Sequence, residues 1–334
     1  MRHLLTCILC TVLHLYTSAQ NYESHDVIVY TNDGIRLGAT ITAPNNPKAA
    51  ILLITGSGIQ NRDEEILGKK PFKTLAESLS TAGYAVMRVD DRGYSNPSDA
   101  NDATIDTDLN DAQAAISKLD SIYPSLKKGL IGHSSGGSVA IRMGAQNAQL
   151  INFIITLAAP AWAGDSIIMS QSRAYATALT GTWEAEQLQR ELITIAKSNT
   201  PTFMARPSIM LSLSNQLGKT AKLPQIKEQL EAQTDALLSP WYRSMLRYNP
   251  AKDIASITIP FLALNGSKDY QVLVENLETI KMLNSQAEIV KLENHNHLFQ
   301  VAQSGLPQEY ANLQGDISKI TLSTIKNWLV KITK

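Results

Sequence analysis

The stretch Leu130-Ile131-Gly132-His133-Ser134-Ser135-Gly136-Gly137 constrains the fold more than any other. An apolar strand end runs into Gly-x-Ser-x-Gly and then into residues that open a helix. This spacing fits a serine held on a very sharp strand-to-helix turn. On such a turn the positions two before and two after the serine must be small, and glycine, lacking Cβ, meets that need. The serine hydroxyl then stands above the sheet, beside helix N–H groups free to stabilise negative charge. The plain alternative is a glycine-rich loop packing a helix on a sheet, so the surrounding pattern has to decide.

That pattern is an alternation of buried strands and helices. Asp26 to Thr31 and Ile35 to Ala43 flank Asn32-Asp33-Gly34, an Asp-Gly hairpin signature. Ala49 to Thr55 and Tyr84 to Val89 are apolar runs of strand length, as expected for strands covered on both faces. Pro71 to Ala82 has helical periodicity and stops at Gly83, and Ile105 to Leu119 is also helical. A strand at Lys128 to Ile131 leads to Ser134, followed by a helix to about Ala148 and a strand at Ile151 to Leu157. The fold class is therefore α/β, a mostly parallel central sheet with helices on both faces. From Trp162 to Asn249 the patterns are helical only, and Pro201, Pro207, Pro224 and Pro240 divide the segment. Alternation resumes with a strand at Ile257 to Asn265, a helix at Val272 to Leu283, a strand at Ala287 to Leu292 and a helix at Ile317 to Ile332. The expected organisation is a core at 20–161, a helical cap insertion at 162–250 and the rest of the core at 251–334.

Residues 1–19 read as a secretory signal. Met1-Arg2-His3 is basic, Leu4 to Tyr16 is mostly apolar, and Thr17-Ser18-Ala19 offers a cleavage site. The apolar run is short for a membrane span, so no stable span is expected after cleavage. Cys10 lacks the small residue before it that a lipoprotein signal needs. Export to the periplasm or medium follows as the expected address. Both cysteines, Cys7 and Cys10, fall in the signal. The mature chain then has no disulfide, no cysteine nucleophile and no thiolate metal site. Thirty Lys and Arg balance thirty Asp and Glu, so nothing points to nucleic acid. The composition is silent on oligomeric state.

An activated serine needs a base, and the base needs a group that fixes its tautomer. The mature chain has four histidines. His25 precedes the first strand, and His133 points away from Ser134 across the turn. The loop Glu293-Asn294-His295-Asn296-His297-Leu298-Phe299 follows a late strand, where sites gather in parallel sheets. His297 is favoured as base because Leu298-Phe299 anchor it, while His295 between two asparagines reads as solvated. Paired histidines also suit a metal, but no cysteine or acidic cluster completes such a site, so no metal or cofactor is expected. Asp269, after the strand ending at Asn265, is the candidate acid; an aspartate there also suits a turn or helix cap. Oxyanion donors are expected from the N–H of Ser135 and, in the loop Thr55-Gly56-Ser57-Gly58-Ile59, from Ser57, with Gly58 next in line. That loop has no Gly-Lys-Ser/Thr or G-x-G-x-x-G pattern, which argues against a nucleotide. Arg62-Asp63-Glu64 and Asp90-Asp91-Arg92 read as an ion-pair network joining two loops rather than as substrate contacts.

At these motifs the chain resembles the α/β-hydrolase superfamily, and within it a group of bacterial serine esterases. The resemblance rests on Gly56-Ser57-Gly58-Ile59-Gln60-Asn61-Arg62-Asp63-Glu64, Asp90-Asp91-Arg92-Gly93, Gly132-His133-Ser134-Ser135-Gly136-Gly137 and Asn296-His297-Leu298-Phe299. It covers nearly all of the mature chain, the insertion least. It implies a helical-cap hydrolase cleaving small carboxylic esters through Ser134, Asp269 and His297. Ile59 stands where those esterases often carry proline. Dienelactone-hydrolase-like and serine aminopeptidase-like members look similar, so a peptidase or acyltransferase on the same triad is the alternative. A non-catalytic binding protein on the scaffold is the alternative of another class. Trp162, Trp183 and Trp241 are candidates to line the pocket under the cap, and Glu184, Glu186 and Glu231 read as solvated helix faces.

Overall fold

The computed structural model describes residues 21–334; the export signal read at 1–19 lies outside them. Eight strands form one sheet in the order β1-β2-β4-β3-β5-β6-β7-β8. β1 (Glu23–Tyr30) and β2 (Arg36–Ala43) are the hairpin, with Tyr30 opposite Arg36 and Gly34 at φ 84° in its turn. β2 also pairs antiparallel with β4 (Ala85–Val89). All other pairs are parallel: β3 (Ala49–Ile54), β5 (Lys127–His133), β6 (Phe153–Leu157), β7 (Phe261–Gly266) and β8 (Glu288–Leu292). The central strands are buried over nearly their whole length, which accounts for their unbroken apolar runs.

Two apolar layers sandwich the sheet. One face packs on α2 (Ile105–Ile122), α3 (Ser135–Gln146), α9 (Ala251–Ser256) and α10 (Glu275–Leu283), through residues such as Leu109, Ile116, Ile141 and Ile280. The other packs on α1 (Pro71–Thr81) and α11 (Lys319–Ile332), through Phe72, Leu79, Trp328 and Leu329. Within the strands the two sets alternate: Leu52 faces the first layer, Ile51 and Leu53 the second.

Between β6 and β7 the described residues form α4 (Gly164–Thr180), α5 (Glu186–Lys197), α6 (Thr202–Leu217), α7 (Pro224–Leu237) and α8 (Pro240–Arg247), with α9 returning to the sheet. α5, α6 and α7 share a core of their own, with Leu192, Ile209, Leu213 and Leu230 at its centre. Pro201, Pro224 and Pro240 stand at helix starts, where a missing N–H costs nothing. Pro207 does not divide the segment: it lies inside α6, five residues from its start, where only the carbonyl of exposed Phe203 loses a partner. The strand expected from Ile257 starts only at Phe261, because Ile257 caps α9 and Pro260 has no N–H for the ladder.

Candidate active site

The loops that follow β3, β5, β7 and β8 meet at the carboxyl edge of the sheet. Ser134 sits between β5 and α3 at φ 52°, ψ −121°, a conformation that L-residues rarely adopt. Its own N–H donates to Leu157 O at 2.8 Å, tying the turn to β6. The flanking glycines are dictated by contact. A Cβ on Gly132 would stand 2.2 Å from Gly136 O, and one on Gly136 would stand 2.2 Å from Thr55 O. Gly136 thus brings the loop after β3 against the start of α3. In that loop, a Cβ at Gly56 would lie 3.4 Å from Ser134 Cβ. Among the described residues neither the Ser57 nor the Ser135 amide donates to a protein acceptor. Ser57 and Ser135 also line the same two cavities.

His297 and Asp269 are a buried pair. His297 Nδ1 lies 2.7 Å from Asp269 Oδ2. Asp269 is also the turn residue its sequence suggested, since Oδ1 accepts from the N–H groups of Gln271 (2.8 Å) and Val272 (3.0 Å). The cap role fixes the carboxylate and leaves Oδ2 for the imidazole. Carboxylate acceptance at Nδ1 places the remaining imidazole nitrogen, Nε2, outward from the pair. The buried Tyr310 ring stands close by; burial, and then the charge of Asp269, push its phenol well above the usual range.

His295 is not solvated. It is 1% exposed, with Nδ1 at 2.8 Å from Glu293 O and Nε2 at 2.7 Å from Ser318 Oγ. It ties the base loop to the start of α11, and the two asparagines beside it conceal that burial in the sequence. The two histidines therefore face different partners. Among the described residues no group of three or more His, Cys, Asp or Glu side chains is placed to hold a metal ion.

His133 points away from Ser134, as expected, toward a partner that sequence reading missed. Its Nδ1 is 2.7 Å from Glu64 Oε1 and its Nε2 is 3.0 Å from the carbonyl of His297. The same Glu64 oxygen accepts the Gly56 N–H at 2.7 Å. A carboxylate at Glu64 and the carbonyl of His297 are both acceptors, an arrangement that suits a His133 ring protonated at both nitrogens. Burial pulls its pKa down, yet the charge and hydrogen bond of Glu64 outweigh it and the net shift is upward. Glu64–His133 is thus a buried ion pair joining the loops after β3, β5 and β8.

The other charges near the strand ends form the network read from the sequence. Arg62 meets Asp90 at 2.6 Å, Arg88 meets Asp63, and Arg92 meets Asp111 at 2.6 Å and Asp33 at 3.0 Å. Asp91 departs from that pattern. It is part-buried, accepts the Gln60 N–H at 2.8 Å, and lies 2.5 Å from Thr55 Oγ1. Burial pushes its pKa up to about 8, with the charges of Asp108 and Glu64 adding to the rise. Its carboxyl ties down both ends of the loop that carries Ser57.

A cavity of about 240 Å³ opens at Ser134, walled by α4, α8 and the residues after β6 and β7. Trp162 and Trp241 line it; Trp183 belongs to a separate groove beside Tyr270. Glu186 and Glu231 pair with Arg190 and Lys227 one helical turn away, and Glu184 is exposed. No helix of the described residues is long and apolar enough to cross a membrane.

A three-layer sheet with a serine on a strained turn after β5, and a carboxylate–imidazole pair after β7 and β8, defines the α/β-hydrolase class. The family model described as serine aminopeptidase, S33, matches residues 69–293, and the chain belongs to this family. It is 24% identical over 321 residues to esterase EstD of Thermotoga maritima, covering 95% of this chain and 69% of that protein. Among solved structures, the Pyrococcus furiosus esterase Pf2001 superposes with a TM-score of 0.54 at 18% identity, over 93% of this chain and 90% of the other. Proline iminopeptidase of Mycobacterium smegmatis superposes at 0.57 with 12% identity, over 92% and 99%. The chain is thus a member of a hydrolase family with the α/β-hydrolase fold.

Proposed function

We propose that this hydrolase cleaves small carboxylic esters through an acyl-enzyme, with Ser134 as nucleophile, His297 as base and Asp269 as its orienting carboxylate. The observation that carries this reading is the buried 2.7 Å contact of His297 Nδ1 with Asp269, on the loops flanking the Ser134 turn. With Nδ1–H held by Asp269, Nε2 is the free base. It takes the Ser134 proton as Oγ bonds to the acyl carbon. The carbonyl oxygen becomes an oxyanion facing the Ser57 and Ser135 amides. The C–OR bond then breaks, and the imidazolium returns its proton to the alkoxide. Water enters by the same route in reverse, releasing the acid and restoring Ser134. The export signal places this activity outside the cytoplasm in our reading.

The similarity to esterase EstD favours esters over peptides. A peptidase would have to hold a free amino terminus, and Glu184, Glu186 and Glu231 lie outside the Ser134 cavity. The test is active-site labelling by a fluorophosphonate together with turnover of nitrophenyl esters beside aminoacyl amides. Labelling lost in Ser134→Ala and turnover of esters above amides are expected. An unlabelled wild-type protein, or full turnover by Ser134→Ala, overturns the reading.

A further inference from the structure

The Ser134 cavity has a neighbour. A second chamber, about 280 Å³, lies on the other side of Ser57 and Ser135. The two share Ser57, Ser135, Val139, Asp108 and Trp241 in their walls. Trp241, on cap helix α8, is the only one of these five contributed by the cap. Its indole N–H donates to Asp108 Oδ2 at 2.6 Å, pinning the ring between the chambers.

The sheet order gives the chambers different chemistry. The second chamber is built on Leu37 of β2, Leu52 and Ile54 of β3, Val89 of β4 and Ala112 of α2. These strands lie on one side of β5, and the strands carrying Asp269 and His297 lie on the other. The Ser134 cavity reaches Gln271 and Val272, beside Asp269. The departing oxygen must take its proton from His297, so the alcohol half belongs on that side. The acyl substituent then leaves the reacting carbon toward β3 and β4. The carboxylates lining the second chamber are engaged internally: Asp90 with Arg62, Asp91 with Thr55 and Gln60, Asp111 with Arg92, Asp108 with Trp241. What remains for a ligand is mainly the aliphatic wall.

Resting on the esterase reading above, we infer that the chamber behind Ser57 and Ser135 is the acyl-chain subsite, that it takes an unbranched alkyl acyl group, and that Trp241 limits the chain length it admits. The test uses esters of one alcohol with acetate, butanoate and octanoate, and acetates of alcohols of increasing size. Ala112→Met fills the chamber from α2, and Trp241→Ala removes the partition. The octanoate-to-acetate ratio of kcat/KM is expected to fall about 10-fold in Ala112→Met and to rise in Trp241→Ala, while the alcohol series keeps its order in both. Fluorophosphonate labelling shows that each variant is folded, and Trp241→Leu, which also removes the indole but keeps an apolar side chain in its place, replaces Trp241→Ala, with the same rise expected, if that variant is not labelled. A change confined to the alcohol series reverses the assignment and overturns it. Unchanged ratios in both variants also overturn it. A wild-type enzyme neither labelled nor active on any ester refutes the esterase reading itself, a result distinct from these.

Discussion

Replacing Glu64 by glutamine tests the buried pair that joins three active-site loops. The side chain keeps its shape and one acceptor oxygen, so Gly56 can still donate to it. The charge, however, is gone. His133 donates through Nδ1 to Glu64 and through Nε2 to His297 O, at 2.7 and 3.0 Å. Without a counter-ion the buried imidazolium sheds a proton, and one of these two acceptors loses its donor. An unpaired buried acceptor costs about 1–3 kcal/mol. Breaking a buried ion pair by removing one partner costs about 3–5 kcal/mol. The expected loss in Glu64→Gln is therefore about 3 kcal/mol near pH 6, read from the shift of a urea midpoint at unchanged m-value. The pH dependence carries the sign. His133 is raised above its unfolded pKa of about 6.5, so the pair stabilises fully below that pH and weakens as pH rises through the folded pKa. The gap between wild type and Glu64→Gln should narrow as pH rises above about 6.5. A double variant with His133→Asn should cost less than the two single variants together by about 1 kcal/mol or more. A gap under about 1 kcal/mol, or one that widens with pH, refutes the imidazolium assignment.

Asp269→Asn should lower kcat by on the order of 10³–10⁴-fold, since an amide nitrogen facing His297 Nδ1 selects the wrong tautomer; near-normal kcat would remove Asp269 from the mechanism. His295→Ala should cost about 2 kcal/mol by stranding Ser318 and Glu293 O while leaving turnover largely in place, whereas His297→Ala should abolish turnover; steady-state rates beside denaturation midpoints separate the two. Asp91 has a folded pKa of about 8 against an unfolded value of about 3.9. The folded state keeps its proton where the unfolded state has lost it, so stability contributed by Asp91 falls as pH rises between these values. Asp91→Asn, which mimics the neutral form, should gain stability over wild type across that window, and a constant difference in melting temperature would contradict the assigned proton.

The sheet was readable because its central strands are buried on both faces and so run as unbroken apolar segments, β3 and β6 most plainly. The Ser134 turn was readable because Gly132 answers to a backbone contact with Gly136, four residues on. Asp269 was readable as a turn residue, and that same turn is what aims its second oxygen at His297. Partnerships across long separations were not readable. Glu64 lies 69 residues from His133, and in the sequence it merges with the charged run Arg62-Asp63-Glu64. His295 looked solvated because its neighbours are polar, although Asn296 is itself buried and bonded to Gln300. Pro207 looked like a break because local sequence does not reveal which carbonyl would be left unpaired.

Backbone strain is distributed around the site in a way that explains how the loops bearing Ser134, Asp269 and His297 keep their shape. Non-glycine residues at positive φ include Glu64, Ser134, Ala158, Asn294 and Phe299, at 51–59°. Each stands in a loop at or beside the carboxyl edge, and each costs about 1–3 kcal/mol. Such strain persists only where neighbours over-determine the conformation. Here the constraint is the sheet ladder continued past the strand ends. The Ser134 N–H donates to Leu157 O of β6, and the Ala158 N–H to Leu264 O of β7, both at 2.8 Å. The Ser267 N–H donates to Leu292 O of β8 at 2.9 Å, and Ser267 Oγ accepts from the Asn294 N–H at 2.8 Å. Each loop is anchored on the strand beyond it, so no single turn can relax without breaking the bond to its neighbour. The turns of Ser134 and Asp269 and the loop of His297 therefore inherit the rigidity of four adjacent parallel strands, and the Glu64–His133 pair extends the same constraint to the loop that carries Ser57.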